Sequence, residues 1–287
     1  MTASKEKNFV AISSVVAAVF LTSFKLVVGV STNSLGILSE ALHSSLDLVA
    51  AIITMFAVRY ADKPADSDHN FGHGKIENIS ALIETILLFI TCGWIIFEAV
   101  ERLISKGHHF EVTWWSFIVV LTSIVIDFTR SRSLQRVADK YDSQALAADA
   151  LHFQTDIWSS FVVLFGLAGA LIGYRYADSI AAIFVALIVF IVSFRLGKKT
   201  FDDLIDRAPD GMREQIEAAL DGVPGVTRFH DIKIRVSGAM KFIELNIHVK
   251  RGITIEAAHD ISHDVEDAII AKIGRSQVTV HTEPEEN

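Results

Sequence analysis

The chain has 287 residues, of which 51% are hydrophobic, with a mean hydropathy of +0.40 and a formal net charge of −8. The acidic balance excludes nucleic acid as a partner, since that needs a basic surface. The single cysteine, Cys92, excludes a disulfide framework or a thiolate metal cluster within one chain.

The charges divide the chain in two. Up to Leu204 they cluster between long apolar runs, whereas residues 202–287 carry 17 acidic and 10 basic residues, as a water-facing domain would. A bilayer-spanning helix needs ~20 mostly apolar residues. Six segments qualify: Phe9 to Val30, Leu35 to Tyr60, Ile79 to Leu103, Val112 to Phe128, Ala145 to Tyr174 and Ile180 to Leu196. The first is too long for a signal-peptide core and reads as a retained span. The four prolines (Pro64, Pro209, Pro224 and Pro284) all lie outside these segments, as expected when proline costs a helix interior ~3 kcal/mol.

Basic residues set the expected orientation. Lys5 and Lys7 precede span one, and Arg59, Lys63 and Lys75 flank the connection between spans two and three. Arg130, Arg132, Arg136 and Lys140 fall between spans four and five, and Arg195, Lys198 and Lys199 follow span six. The other side has only Arg102, Lys106 and Arg175, so both termini are expected in the cytoplasm. His108 and His109 read as ordinary residues of an outer loop. A multi-pass transport domain over residues 1–205 and a cytoplasmic domain over residues 206–287 are the expected division.

In the tail, Gly211 to Leu220 has helical spacing. Arg228 to Val236 and Lys241 to Val249 alternate as strands, with Ile232, Ile234 and Val236 on one face of the first and Ile243, Leu245, Ile247 and Val249 inward on the second. Ser237-Gly238 suits a hairpin turn. Thr254 to Ile273 reads as an amphipathic helix with Thr254 as N-cap, and Gln277 to Thr282 as a last strand. The order αββαβ gives a small α+β fold with helices on one sheet face.

Chemistry concentrates in a repeated motif. Span two contains Ala41-Leu42-His43-Ser44-Ser45-Leu46-Asp47 and span five contains Ala150-Leu151-His152-Phe153-Gln154-Thr155-Asp156, both Ala-Leu-His-x-x-x-Asp. On a helix, residues i and i+4 share a face, so two such faces turned together offer two imidazoles and two carboxylates to one divalent cation. Ionisable groups inside spans are costly and mark function by default. This donor set suits Zn(II), Co(II) or Fe(II) in roughly tetrahedral geometry. Glu40, Glu84, Asp127 and Asp149 are also intramembrane acids, without the repetition. Glu40 lies three residues before His43 and is a candidate for proton binding or for supporting a ligand.

Two further clusters lie outside the spans. Asp66, His69 and His73 fall within eight residues of a loop in which Gly72 and Gly74 permit a tight turn. In the tail, Phe242, Glu244, Asn246 and His248 share the strand face opposite the core. His259 and His263 are i,i+4 on a helix, and His281 and Glu283 share a face of the last strand. Convergence on one or two ions and scattered surface histidines both remain open for the tail.

With these motifs, the chain resembles the cation diffusion facilitators, six-span divalent-metal exporters with a metallochaperone-like (ferredoxin-like) cytoplasmic domain, and is most similar to the bacterial zinc and iron exporters among them. The resemblance rests on the paired motifs, Phe71-Gly72-His73-Gly74-Lys75-Ile76-Glu77, Leu204-Ile205-Asp206-Arg207, Pro224-Gly225-Val226 and Val280-His281. It implies a transport site at His43, Asp47, His152 and Asp156, and a loop site at Asp66, His69 and His73. Family ligand positions in the tail fall on His230, Asn246, His259, His281 and Glu283. It also implies an ion pair between Lys75 and Asp206 where membrane and cytoplasmic domains meet across a homodimer.

Two departures from the family pattern matter. His43 stands where close bacterial relatives have Asp, the zinc-selective pattern that disfavours cadmium. Asn246 stands where they have a metal-linking histidine, which points to Glu244, His259 and His281 as regulatory ligands, with His248 a possible substitute. The expectation is therefore a bacterial inner-membrane exporter, not an enzyme, that exchanges cytoplasmic Zn(II) for protons, with Zn(II) also a regulatory ligand. Fe(II), Co(II), Mn(II) or Cd(II) are alternative ions. A non-transporting sensor lacks support from any signalling domain. A hydrolase reading fails because two carboxylates and two histidines fill a four-coordinate zinc.

Overall fold

The computed structural model describes residues 2–33, 35–104, 114–171 and 177–285. Lys106, His108, His109, Val112, Tyr174 and Arg175 lie outside the described residues. The chain separates into two compact units, one of residues 1–63 and 76–200, the other of residues 64–75 and 201–287. The loop with Asp66, His69 and His73 thus clusters with the C-terminal residues.

The first unit holds six long helices: α1 (Ala3–Thr32), α2 (Leu35–Ala61), α3 (Lys75–Ile104), α4 (Trp114–Tyr141), α5 (Gln144–Leu171) and α6 (Ala177–Leu204). Each has 27–30 residues, or ~40 Å at 1.5 Å per residue, more than the ~30 Å hydrocarbon layer requires. Among the described residues, α1, α2 and α3 each contain a stretch long and apolar enough to cross a membrane by itself.

Most helices outrun their apolar segments. α4 in particular continues through Arg130, Arg132, Arg136 and Lys140, expected in a loop, and reaches α5 through Asp142 and Ser143 alone. Polar pairing explains the extension. Lys140 Nζ and Tyr141 Oη each donate to Glu6 at 2.7 Å. Buried Lys7 reaches Asp62 at 2.5 Å and Glu77 at 2.9 Å, and Ser143 also donates to Glu77.

The core of this unit is cut from small residues. Ala11, Ala57, Ala138, Ala145 and Ala150 pack with Val10, Val58, Leu134, Val137, Leu146 and Phe153 of α1, α2, α4 and α5. Small side chains let helix backbones approach closely, which matters where apolar burial drives no association. At Gly29 a Cβ would meet Leu38 Cδ2 at 2.9 Å, so this glycine permits the tight α1–α2 approach.

The second unit contains α7 (Met212–Leu220), β1 (Val226–Ser237), β2 (Met240–Val249), α8 (Ile255–Ile273) and β3 (Ser276–Pro284). β2 is central, antiparallel to β1 and parallel to β3. Ile216, Leu220, Val265 and Ile269 of the helices pack on Ile232, Ile234, Ile243, Leu245, Ile247 and Val249 of the sheet. The hairpin turn is Gly238-Ala239, one residue later than the sequence indicates, with Gly238 at φ +59°. Thr254 caps α8, accepting from Ala257 N at 3.2 Å.

Plain alternation fails at two places in β1, between Val226 and Arg228 and between His230 and Lys233, and the second bears on the site. It would place His230 on the core face with Ile232. Instead the register slips between His230↔Asn246 and Lys233↔Glu244, with Asp231 at φ +53°. This bulge turns His230 to the face opposite the helices. A β-branched residue at Asp231 should cost about 1–2 kcal/mol of left-handed strain. Asp231→Val is therefore expected to lower thermal stability and Asp231→Asn to leave it nearly unchanged, as read by circular dichroism.

Candidate metal centre

The two motifs meet. α2 and α5 pack against each other, and each helix delivers its His and Asp one turn apart. His152 Nε2 lies 3.0 Å from Asp47 Oδ1 and 3.8 Å from Asp156 Oδ2. His43 Nε2 lies 3.7 Å from Asp156 Oδ1 and 3.9 Å from Asp47 Oδ1. Four ligands ~2.0 Å from a zinc ion would stand about 3.3 Å apart; the donor atoms of His43, Asp47 and Asp156 all lie within 4.8 Å of one another, and His152 reaches this group through Asp47 and Asp156. Oxygen and imidazole nitrogen are both donors that zinc accepts. The histidines are unequal: the His152 side chain is 5% exposed and that of His43 40% exposed.

Several of the surrounding charged groups are paired. Lys25 of α1, buried, donates to Ser44 Oγ at 2.8 Å and Glu40 Oε2 at 3.2 Å. Thr22 donates to the Ser44 carbonyl at 2.9 Å. Glu40 is thus held by Lys25 on the turn that carries His43. Arg130 donates to Asp127 at 3.2 Å and to Ser14 at 3.1 Å, and Ser14 donates to Asp149 at 3.2 Å. The Arg130 guanidinium also stacks 3.5 Å over the Phe153 ring. Thr54 donates to Glu84. Lys25, a lysine in the middle of an apolar segment, is itself a readable signal of a buried polar cluster.

The loop residues also converge. Asp66 Oδ1 accepts from the backbone N–H of His69 at 2.7 Å and of Asp68 at 3.1 Å, and lies 3.2 Å from His69 Nδ1. Asp66 Oδ2 lies 3.3 Å from His73 Nε2. The His69 backbone bond, seconded by that of Asp68, holds the Asp66 carboxyl below the usual carboxylate range. Phe71 meets Phe242 edge-on at 5.2 Å beneath the Arg235 guanidinium, 3.6 Å from its ring. Gly74 lies so close to the β1–β2 turn that a Cβ would stand 2.4 Å from Ser237 O. Lys75 Nζ pairs with Asp206 Oδ1 at 2.7 Å within the single chain.

On the outer sheet face His230, His248 and Glu283 come together. Glu283 Oε2 is 3.4 Å from His230 Nε2 and 3.6 Å from His248 Nε2, with the two rings 5.0 Å apart. Asn246 donates to Glu283 Oε1 at 3.2 Å, and exposed His281 lies 3.6 Å from the same oxygen. Glu244, His259 and His281 are not brought together within one chain. The register sets Glu244 opposite Lys233 and Thr279, and α8, which carries His259, packs through Val265 and Ile269 on the other sheet face.

Residues 11–205 match the cation efflux transmembrane domain family and residues 208–285 the cytoplasmic domain of cation efflux proteins. The chain is similar to the cation-efflux pump FieF of Citrobacter koseri, 31% identical over 281 residues that cover 96% of this chain and 91% of the relative. It is likewise similar to FieF of Yersinia pestis, 32% identical over 282 residues with the same coverage. Among solved structures it resembles a cadmium form of the MamM CTD, with 31% identity and a TM-score of 0.26, covering 27% of this chain and 98% of that one.

Two outcomes are expected. Lys25→Met strands the Ser44 hydroxyl and Glu40 and should lower stability by about 1–3 kcal/mol, measured by thermal unfolding in micelles. In the loop, Asp66→Asn keeps the acceptor for the two backbone donors but loses the charge. Loop metal affinity should fall on the order of tenfold, because ligand charge tunes affinity, while circular dichroism stays unchanged. A depressed carboxylate is protonated only as pH falls through its lowered value, so Asp66 keeps its charge further into the acid range than an ordinary carboxylate.

Proposed function

Because the chain belongs to the cation diffusion facilitator family, we propose that it exports Zn(II) from the cytoplasm in exchange for protons. The convergence of His43, Asp47, His152 and Asp156 from α2 and α5 carries this reading. The transport domain is assigned to residues 1–205 and the cytoplasmic domain to residues 206–287. The protein sits in the bacterial inner membrane with both termini in the cytoplasm and works as a homodimer.

The exchange follows from the donor set. Histidine must be deprotonated to bind metal, so metal and protons compete for the same nitrogens, and an unperturbed imidazole titrates at ~6.5, within reach of neutral pH. Two carboxylates neutralise a divalent ion. With the ion gone, protons on both imidazoles restore that balance, so neither state leaves net charge in a low-dielectric setting. An outward-facing site that meets protons releases zinc, and an inward-facing site reloads. Fe(II), Co(II) and Mn(II) suit the same ligands but bind more weakly than Zn(II) in the general order of affinity.

The Asp66/His69/His73 loop and the His230/His248/Glu283 face are assigned as regulatory zinc sites. The three side chains of each offer donor atoms all within 4.8 Å of one another. Zinc there would order the cytoplasmic residues and bias the transport equilibrium, as expected of two coupled sites.

Transport in proteoliposomes under an imposed pH gradient tests the central claim. Zinc uptake should rise with the gradient, and His43→Ala should lower it on the order of tenfold or more, since one of four ligands is removed. Flux indifferent to the gradient rejects proton exchange, and flux indifferent to His43→Ala rejects the assigned site.

A further inference from the structure

The four converging His and Asp side chains share their surroundings with a positive charge. Lys25 of α1 is buried beside the α2 turn that carries His43, its Nζ donating to Ser44 Oγ at 2.8 Å. The ammonium acts electrostatically on Asp47, one turn beyond His43. Charges interact several-fold more strongly in a protein interior than in water. Left uncompensated, Lys25 would therefore oppose the binding of any divalent cation.

Glu40 supplies the compensation. Its Oε2 accepts from Lys25 Nζ at 3.2 Å, three residues before His43 and on nearly the same helix face. The Glu40 carboxylate also acts electrostatically on His43. Asp127, which feels Lys25 as well, is held by Arg130 at 3.2 Å. The Glu40 side chain is half exposed, and an ion pair open to solvent adds little stability of its own. Its main consequence is therefore the cancellation of charge beside His43. Glu40 lies near the start of α2, the end that faces outward when both termini are cytoplasmic, so the pair stands on the release side.

We propose that Glu40 sets the affinity of the transport site for its divalent cation by cancelling the charge of Lys25, without itself touching the ion. The inference rests on the assignment of His43, Asp47, His152 and Asp156 as transport ligands. Removing the Glu40 charge alone leaves a repulsion and weakens binding. Removing the Lys25 charge alone leaves an added attraction and tightens it. Removing both restores the balance.

Site-resolved carbethoxylation of the full chain in detergent, titrated with Zn(II) and read by peptide mass spectrometry, tests the proposal through the zinc concentration that half-protects His43. Glu40→Gln, a change at a half-exposed position that keeps an oxygen for Lys25, should raise that concentration on the order of tenfold. Lys25→Gln should lower it, and Lys25→Gln/Glu40→Gln should return it to within about threefold of the unsubstituted chain, the pattern of a coupled pair. A merely structural pair would weaken binding in each single variant and again in the double. An unchanged Glu40→Gln overturns the proposal, as does a double variant as weak as Glu40→Gln, or an equal shift in the protection of His69 in the distant loop. Zinc that fails to protect His43 in the unsubstituted chain overturns the assigned transport site and this inference with it.

Discussion

A single hydrogen bond, from His152 of α5 to Asp47 of α2, holds the centre of the first unit. A charged or strongly polar group inside an apolar bundle must find a partner, because an unpaired one costs several kcal/mol. Here each helix supplies the partner the other needs. The polar groups that would carry zinc therefore also set the register between α2 and α5.

The same constraint governs the neighbouring basic residues of this unit. Lys7 is held by Asp62 and Glu77, Lys25 by Glu40 and Ser44, and Arg130 by Asp127, Ser14 and the Phe153 ring. α1 contributes to all three clusters, through Lys7, Lys25 and Ser14. It carries none of the four converging His and Asp side chains, yet it ties down α2 on one side and the α4–α5 pair on the other. Buried ion pairs add little net stability against an apolar alternative, but removing one partner is expensive. They serve here to specify which helix neighbours which.

The helices, the αββαβ order and the meeting of His43, Asp47, His152 and Asp156 were legible because each rests on a period: apolar runs for the spans, i,i+4 spacing for His and Asp, alternation for β2. What escaped depends on departures from period. The bulge at Asp231 moves His230 across the sheet, and nothing in a plain alternation foretells it. Glu244, His259 and His281 do not meet within one chain for a related reason. Sharing a strand face does not bring residues to the same point along it, and a helix residue answers to its own turn before it answers to the sheet. The charged extension of α4 was hidden because a run of Arg and Lys reads as a loop when the acids that pair with Lys140 and Arg130 lie on other turns or other helices.

The two copies of Ala-Leu-His-x-x-x-Asp are identical in pattern and different in physics. His152 is buried, fixed at 3.0 Å to its carboxylate, with an aromatic neighbour edge-on at Phe153. His43 is far more open and sits 3.7 Å or more from either carboxylate. A ligand that is already seated contributes affinity with little reorganisation, whereas one that must swing in adds to affinity only for ions that reward the movement. Discrimination among divalent ions should therefore concentrate at His43, and the ability to hold any of them at His152. Substitutions at the two positions are expected to differ in kind: changes at His43 should reorder the preference among metals, while changes at His152 should weaken all of them together and loosen the α2–α5 pair as well.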